Sequence, residues 1–301
     1  MQIGISLPQM GQDASSAAIT SIAQEAERLG FSSVWVGERL LRPRYFVPYG
    51  GGNVPIPDFQ KIVYDPLETL TYVAAKTERI KLGTSVVSAF FHTPVVLARR
   101  FATLDQFSNG RVIAGIGQGW MRDEFETANV PFQRRGNGLE DYIGALHAVW
   151  GPDPVHYEGR FYHIVESDIG PKPVQPGGPP VLFGAASQVA LKRAARLADG
   201  LNPVFRSWDT VEWIVHEFPE MVRRAGRDPQ RLVTVARVNN GIHAQALPEP
   251  RPPLVGSFEQ IHEDMQRLES LGITHVFYDL STIPVHEQLK ILEKLRRAAD
   301  V

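Results

Sequence analysis

The sequence predicts an α/β fold, and within that class a (β/α)8 TIM barrel with insertions after strand 2 and after helix 4. Three observations carry this. Short β-branched runs alternate with amphipathic helical stretches eight times along the 301 residues. No shift in composition fit to be a domain boundary interrupts them, so residues 1–301 read as one barrel domain of ordinary length. The third observation is local. Ile80-Lys-Leu-Gly-Thr-Ser-Val-Val87 turns small and polar at its carboxyl end, and Val112-Ile-Ala-Gly-Ile116 runs into Gly117 and Gly119. Parallel strands that end this way are where α/β folds build ligand sites. A doubly wound open sheet has the same order of elements, so the pattern alone leaves closure open.

Taken in order, Ile3–Leu7 is the first predicted strand. Ser16–Leu29 follows as a helix, with Ile19, Ile22, Ala23, Ala26 and Leu29 on one face. Gly30 closes it and Ser33–Gly37 is strand two. Leu40–Tyr64 breaks the rhythm with four prolines, three glycines and interleaved aromatics, and a loop this long reads as a lid or substrate wall. Asp65-Pro-Leu-Glu68 has the cap, first-turn proline and third-position glutamate of a helix start, and that helix runs to about Glu78. Strand three is Ile80–Val87. Thr93-Pro94 opens helix three, Asn109-Gly110 ends it, and strand four follows.

Gly136–Trp150 is helix four. The second insertion, Gly151–Gly178, holds a hairpin from Val155 to His163. The rhythm resumes with strands at Pro180–Phe183, Gly200–Val204, Leu232–Val238 and Ile273–Tyr278. Helices are expected at Ser187–Ala198, Asp209–Ala225, from the capping box Ser257-Phe-Glu-Gln260, and at Pro284–Ala298.

Hydrophobic content of 43% and charged content of 21% are those of a soluble protein with a large core. A formal charge of −2, with no sustained basic stripe, argues against nucleic acid as a partner. No apolar window approaches a membrane span, and the first residues read as a strand instead of a leader, so a cytoplasmic protein with no membrane partner is expected. With no cysteine, thiolate chemistry is excluded.

The strand ends are poor in metal ligands, which disfavours a metal-dependent hydrolase; His156 and His163 lie in the predicted hairpin and read as surface residues. No Gly-x-Ser-x-Gly is present. Gly115-Ile-Gly-Gln-Gly119 lacks the third glycine of a dinucleotide fingerprint, because Trp120 stands there. Gly184-Ala-Ala-Ser187 is either an ordinary βα turn with a serine cap or a phosphate site at a helix N-terminus. Glu38, at the end of strand two beside Arg39, is either half of a rim ion pair or a carboxylate facing the pocket.

In order, Ala26-Glu-Arg-Leu-Gly-Phe-Ser-Ser-Val-Trp-Val-Gly-Glu38, Thr77-Glu-Arg-Ile-Lys-Leu-Gly-Thr-Ser-Val86, Pro94-Val-Val-Leu-Ala-Arg99 and Leu104-Asp-Gln-Phe-Ser-Asn-Gly-Arg111 form a set of motifs. Gly115–Trp120, Tyr157-Glu-Gly-Arg-Phe-Tyr162, Pro171-Lys-Pro-Val-Gln175 and Val181 through Gly200 continue it. The set resembles the luciferase-like monooxygenase family, specifically its coenzyme F420 branch, over roughly residues 1–204. After Phe205 the likeness rests on element order.

The resemblance implies a (β/α)8 barrel holding a flavin or deazaflavin at the strand carboxyl ends. It implies a non-prolyl cis peptide at Ser85–Val86, in a strand-three bulge that presses Val86 against the ring. Gly184, Ala185, Ala186 and Ser187 match the family's phosphate position, and Gly117, Gln118 and Gly119 would flank the cofactor tail. Deazaflavin members often pair a carboxylate with a histidine after strand two. Here the neighbour is Arg39, so a histidine acid or base is missing and Glu38 is the expected catalytic residue. A sugar-phosphate dehydrogenase branch has a glutamate where this chain has Trp120, which argues against that substrate. The expected activity is hydride transfer between F420 and a small organic substrate, by a homodimer. The alternatives are an FMN-dependent monooxygenase using reduced FMN and dioxygen, and a non-catalytic flavin-binding barrel.

Overall fold

Eight parallel strands close on themselves. In the computed structural model, which describes residues 1–49, 52–185, 187–239 and 241–299, these are β1 (Gln2–Ser6), β2 (Ser33–Val36), β3 (Lys81–Thr84), β4 (Val112–Gly117), β5 (Val181–Phe183), β6 (Gly200–Leu201), β7 (Val233–Asn239) and β8 (His275–Asp279). Each pairs with the next, and β8 pairs back onto β1, with Gln2 opposite His275 and Ile5 opposite Tyr278. The barrel is closed, which excludes the open sheet that the rhythm of elements leaves possible.

Around it lie α1 (Ser16–Arg28), α2 (Pro66–Ala74), α3 (Pro94–Ser108), α4 (Leu139–Trp150), α5 (Gln188–Leu197), α6 (Trp208–Arg224), α7 (Phe258–Ser270) and α8 (Val285–Ala299). Side-chain caps start most of them: Ser15, Asp65, Thr93, Ser187, Ser207 and Ser257 each accept a backbone N–H of the first turn. Such a cap contributes about 1 kcal/mol. Among the described residues no helix is long and apolar enough to cross a membrane.

Two boundaries differ from expectation for visible reasons. Helix α2 stops at Ala74, not Glu78, because the Arg111 guanidinium takes the carbonyls of Ala74 (2.9 Å), Thr77 (3.0 Å) and Ile80 (3.1 Å). Helix α4 starts at Leu139, after a separate turn at Arg134–Asn137. The insertion after β2 is more ordered than a loop. Val47–Tyr49 pairs antiparallel with Gly52–Val54, and Val47 and Ile56 pack on Met121. The second insertion does hold its hairpin, Val155–Glu158 against His163–Ser167. His156 and His163 are exposed on it.

Inside the barrel, Trp35, Ile113, Leu182, Val235 and Phe277 form a layer contributed by five strands. The Trp35 and Phe277 rings stack at 4.7 Å. A side chain at Gly83 would run into the Trp35 ring, so β3 passes close only because that residue has none. Below this layer Trp35 Nε1 donates to Ser33 Oγ at 2.8 Å, and the hydroxyl lies 2.8 Å from His275 Nε2. The Ser33 hydroxyl thus bridges the indole and the imidazole.

Candidate active site

At the carboxyl end of β3 the chain bulges. The register that pairs Leu82 with Val112 has slipped by one residue where Val87 pairs with Ile116. The extra residue falls at Ser85–Val86, and this peptide is cis. Its polar atoms are held from three other strands or their ends. Ser85 N donates to Val36 O at 2.7 Å and Glu38 N to Val86 O at 3.3 Å. Ser85 Oγ donates to Asn202 Oδ1 at 2.5 Å, and Arg237 Nη1 donates to Ser85 O at 2.7 Å.

Asn202 is itself tied to Val235 O at 2.8 Å. Arg237 is fixed by Asn239 Oδ1 (2.8 Å) and Asp279 Oδ2 (2.5 Å). Burial pushes the Asp279 carboxyl up, but Arg237 and the Ser281 hydrogen bonds outweigh it and hold the group below the usual range. The Val86 side chain fills the space beside Gly117, where a Cβ would strike it, and approaches Gly184.

Glu38 has a histidine beside it after all. His92, in the loop between β3 and α3, brings Nε2 to 2.7 Å from Glu38 Oε1, while Glu38 Oε2 accepts Ser88 N at 2.7 Å. The pair spans 54 positions of sequence, so a search beside Glu38 could not find it. Its signal was present: His92 lies in a βα loop at the barrel's active face. Arg39 turns elsewhere. It pairs with Glu124 Oε2 at 3.0 Å, donates to Gln60 Oε1 at 2.9 Å and lies 5.3 Å from the Trp120 ring, which packs on Tyr49. Burial raises the Glu124 carboxyl, against the pull of Arg39.

These residues border two connected spaces. One is a chamber of about 120 Å³ on the barrel axis, between the Trp35–Phe277 layer and Glu38, Ser85, Arg237 and Asp279. The other is a groove of about 610 Å³ leading outward. Glu38, Arg39, Ser85 and Arg237 line both. Ser85, Val86, Gly117, Gln118, Gly119, Gly184, Ala185 and Ser187 all line the groove, so the residues singled out from sequence come together. Ala186 lies outside the described residues. His92, Asn202 and Arg237 are the residues that sequence reasoning missed.

The groove is lined by small residues and carries three arginines besides Arg237: Arg39, Arg135 and Arg193. Its inner wall is Val86 against glycines, where any Cβ at Gly117 would displace the wall. Its outer end has Arg135, Arg193 and the start of α5, where Ser187 Oγ accepts Ala190 N at 3.3 Å.

Comparison with known proteins shows the family and the fold. The family model described as luciferase-like monooxygenase matches residues 1–246. An F420-dependent glucose-6-phosphate dehydrogenase of Amycolatopsis mediterranei is 31% identical over 266 residues, 83% of this chain and 75% of that one. An FMNH2-dependent dimethylsulfone monooxygenase of Pseudomonas putida is 27% identical over 207 residues, 68% of this chain and 52% of that one. Among solved structures, a coenzyme F420-dependent tetrahydromethanopterin reductase from Methanopyrus kandleri superimposes with a TM-score of 0.77 over 99% of this chain and 97% of that one. At 18% identity that likeness is one of fold.

Proposed function

The chain belongs to the luciferase-like monooxygenase family, and from that premise we propose that it is an oxidoreductase transferring hydride between coenzyme F420 and a small organic substrate. The observation that carries the reading is Glu38, which lines both the groove and the chamber and is paired at Oε1 with His92. Val86, Gly117 and Gly184 would hold the ring, with Gln118, Gly119 and Ala185 beside it. Ser187, Arg135 and Arg193 would hold the tail. When bound, the cofactor supplies or accepts the hydride.

The protein's part is to orient, exclude water and handle the proton. Hydride transfer to or from a carbonyl carbon needs a proton moved at the oxygen, and an imidazole is suited to that near neutral pH. Both Glu38 oxygens are engaged, one by His92 and one by the Ser88 N–H. The pair therefore holds the proton between Glu38, which faces both spaces, and the imidazole paired with it. The Trp35–Phe277 layer closes the chamber from below.

The second reading is an FMNH2-dependent monooxygenase, favoured by the likeness to the dimethylsulfone enzyme. Titrating the cofactor-free protein separately with F420 and FMN, followed by fluorescence quenching, tests both. We expect micromolar binding of F420 and none of FMN. Binding of FMN alone overturns the F420 assignment. Binding with no turnover over a panel of alcohols and carbonyls points to a cofactor-binding barrel.

A further inference from the structure

Between residues 39–44 and 60–63, in the insertion after β2, lies another cavity of about 450 Å³. Arg39 and Gln60 line both it and the axial chamber, so the two spaces share a wall. Its lining carries Arg39, Arg42, Arg44 and Lys61, and no carboxylate.

Two acidic neighbours offset part of this charge. Asp58 pairs with Arg42 (2.5 Å) and Lys61 (2.7 Å), and Glu124 pairs with Arg39. Two positive charges remain in excess. Arg42 braces the insertion through the carbonyls of Ile56 and Pro57. Arg44 differs, since it has no ion-pair partner among the described residues. Arg39 spends Nε and Nη1 on Gln60 and Glu124 and keeps Nη2 for another acceptor. Like charges gathered around a concave space repel unless a counter-charge joins them, and such a space attracts anions.

We propose that this cavity is an anion-binding subsite. It takes the carboxylate or phosphate group of an organic anion whose reactive carbon reaches past Arg39 and Gln60 into the chamber. The position of the reactive carbon rests on the oxidoreductase reading. The binding of the anionic group does not.

Calorimetric titration of the full-length, cofactor-free protein at low ionic strength, with inorganic phosphate, glutarate and the neutral glutaramide, tests it. We expect saturable binding of glutarate, phosphate or both, and none of glutaramide. Glutarate alone would identify a carboxylate site and phosphate alone a phosphate site. Arg44→Gln, at an exposed position, should weaken anion binding about fivefold, and adding Lys61→Gln should weaken it further. Neither residue lines the groove, so cofactor affinity should hold in both variants. Equal binding of glutaramide, no saturable binding of either anion, or an unchanged Kd in Arg44→Gln overturns the subsite. Anion binding without any cofactor binding leaves the subsite standing and removes the oxidoreductase reading instead.

Discussion

At the scale of single residues, the proposed proton carrier and the proposed cofactor wall are different side chains. His92→Gln removes the proposed proton carrier but not the groove. We expect turnover to fall about a hundred- to ten-thousand-fold, the range for losing a general acid or base, with cofactor Kd nearly unchanged; steady-state kinetics and quenching titration on the same variant check it. Gly117→Ala should do the reverse, pushing Val86 inward and weakening cofactor binding while the Glu38–His92 pair stays intact. Sequence alone found Glu38, Ser85, Val86 and the glycines because each lies at a strand end or in a motif. It missed His92 and Arg237 because their partners, Glu38 and Ser85 O, are 54 and 152 positions away. Contacts of that range are set by barrel closure and leave no local pattern.

At the scale of elements, local signals were legible wherever a cap or a period existed. Asp65, Thr93 and Ser257 announced α2, α3 and α7, and all three side chains cap as read. The end of α2 was not legible, since what stops it is Arg111 arriving from the far end of α3. The proline-rich stretch Pro248–Pro253 is a loop, and a buried ion pair fastens it. Arg251 and Asp264, both buried, form a bidentate pair between that loop and α7, and Leu254 N donates to the same carboxylate at 2.6 Å. Removing one partner of a buried pair strands the other charge. Asp264→Ala should therefore cost about 3–5 kcal/mol in denaturant-induced unfolding. Replacing both with apolar residues of similar volume should recover most of the loss.

At the scale of the whole molecule, the barrel encloses a histidine in its floor. Burial, with a smaller push from Lys81, lowers the His275 imidazole from 6.5 to about 4. The unfolded chain therefore binds a proton between pH 6.5 and 4 that the folded one refuses. Stability is full above pH 6.5, falls as pH drops through that window, and levels off below pH 4. The loss from this one group is about 3 kcal/mol. Urea unfolding at a series of pH values should show it, and His275→Gln should flatten the curve in that window. The rhythm of the sequence foretold eight strands, yet not which inward side chains would meet. That depends on the register at closure, which the backbone hydrogen bonds fix. The same closure brings Arg237, from strand seven, onto the carbonyl of Ser85 in strand three. A cationic donor on one amide oxygen lowers its stretching frequency, so an isotope-labelled Ser85 carbonyl would carry an infrared band of its own. That band would register any opening of the barrel's mouth, from inside the protein and with no added dye.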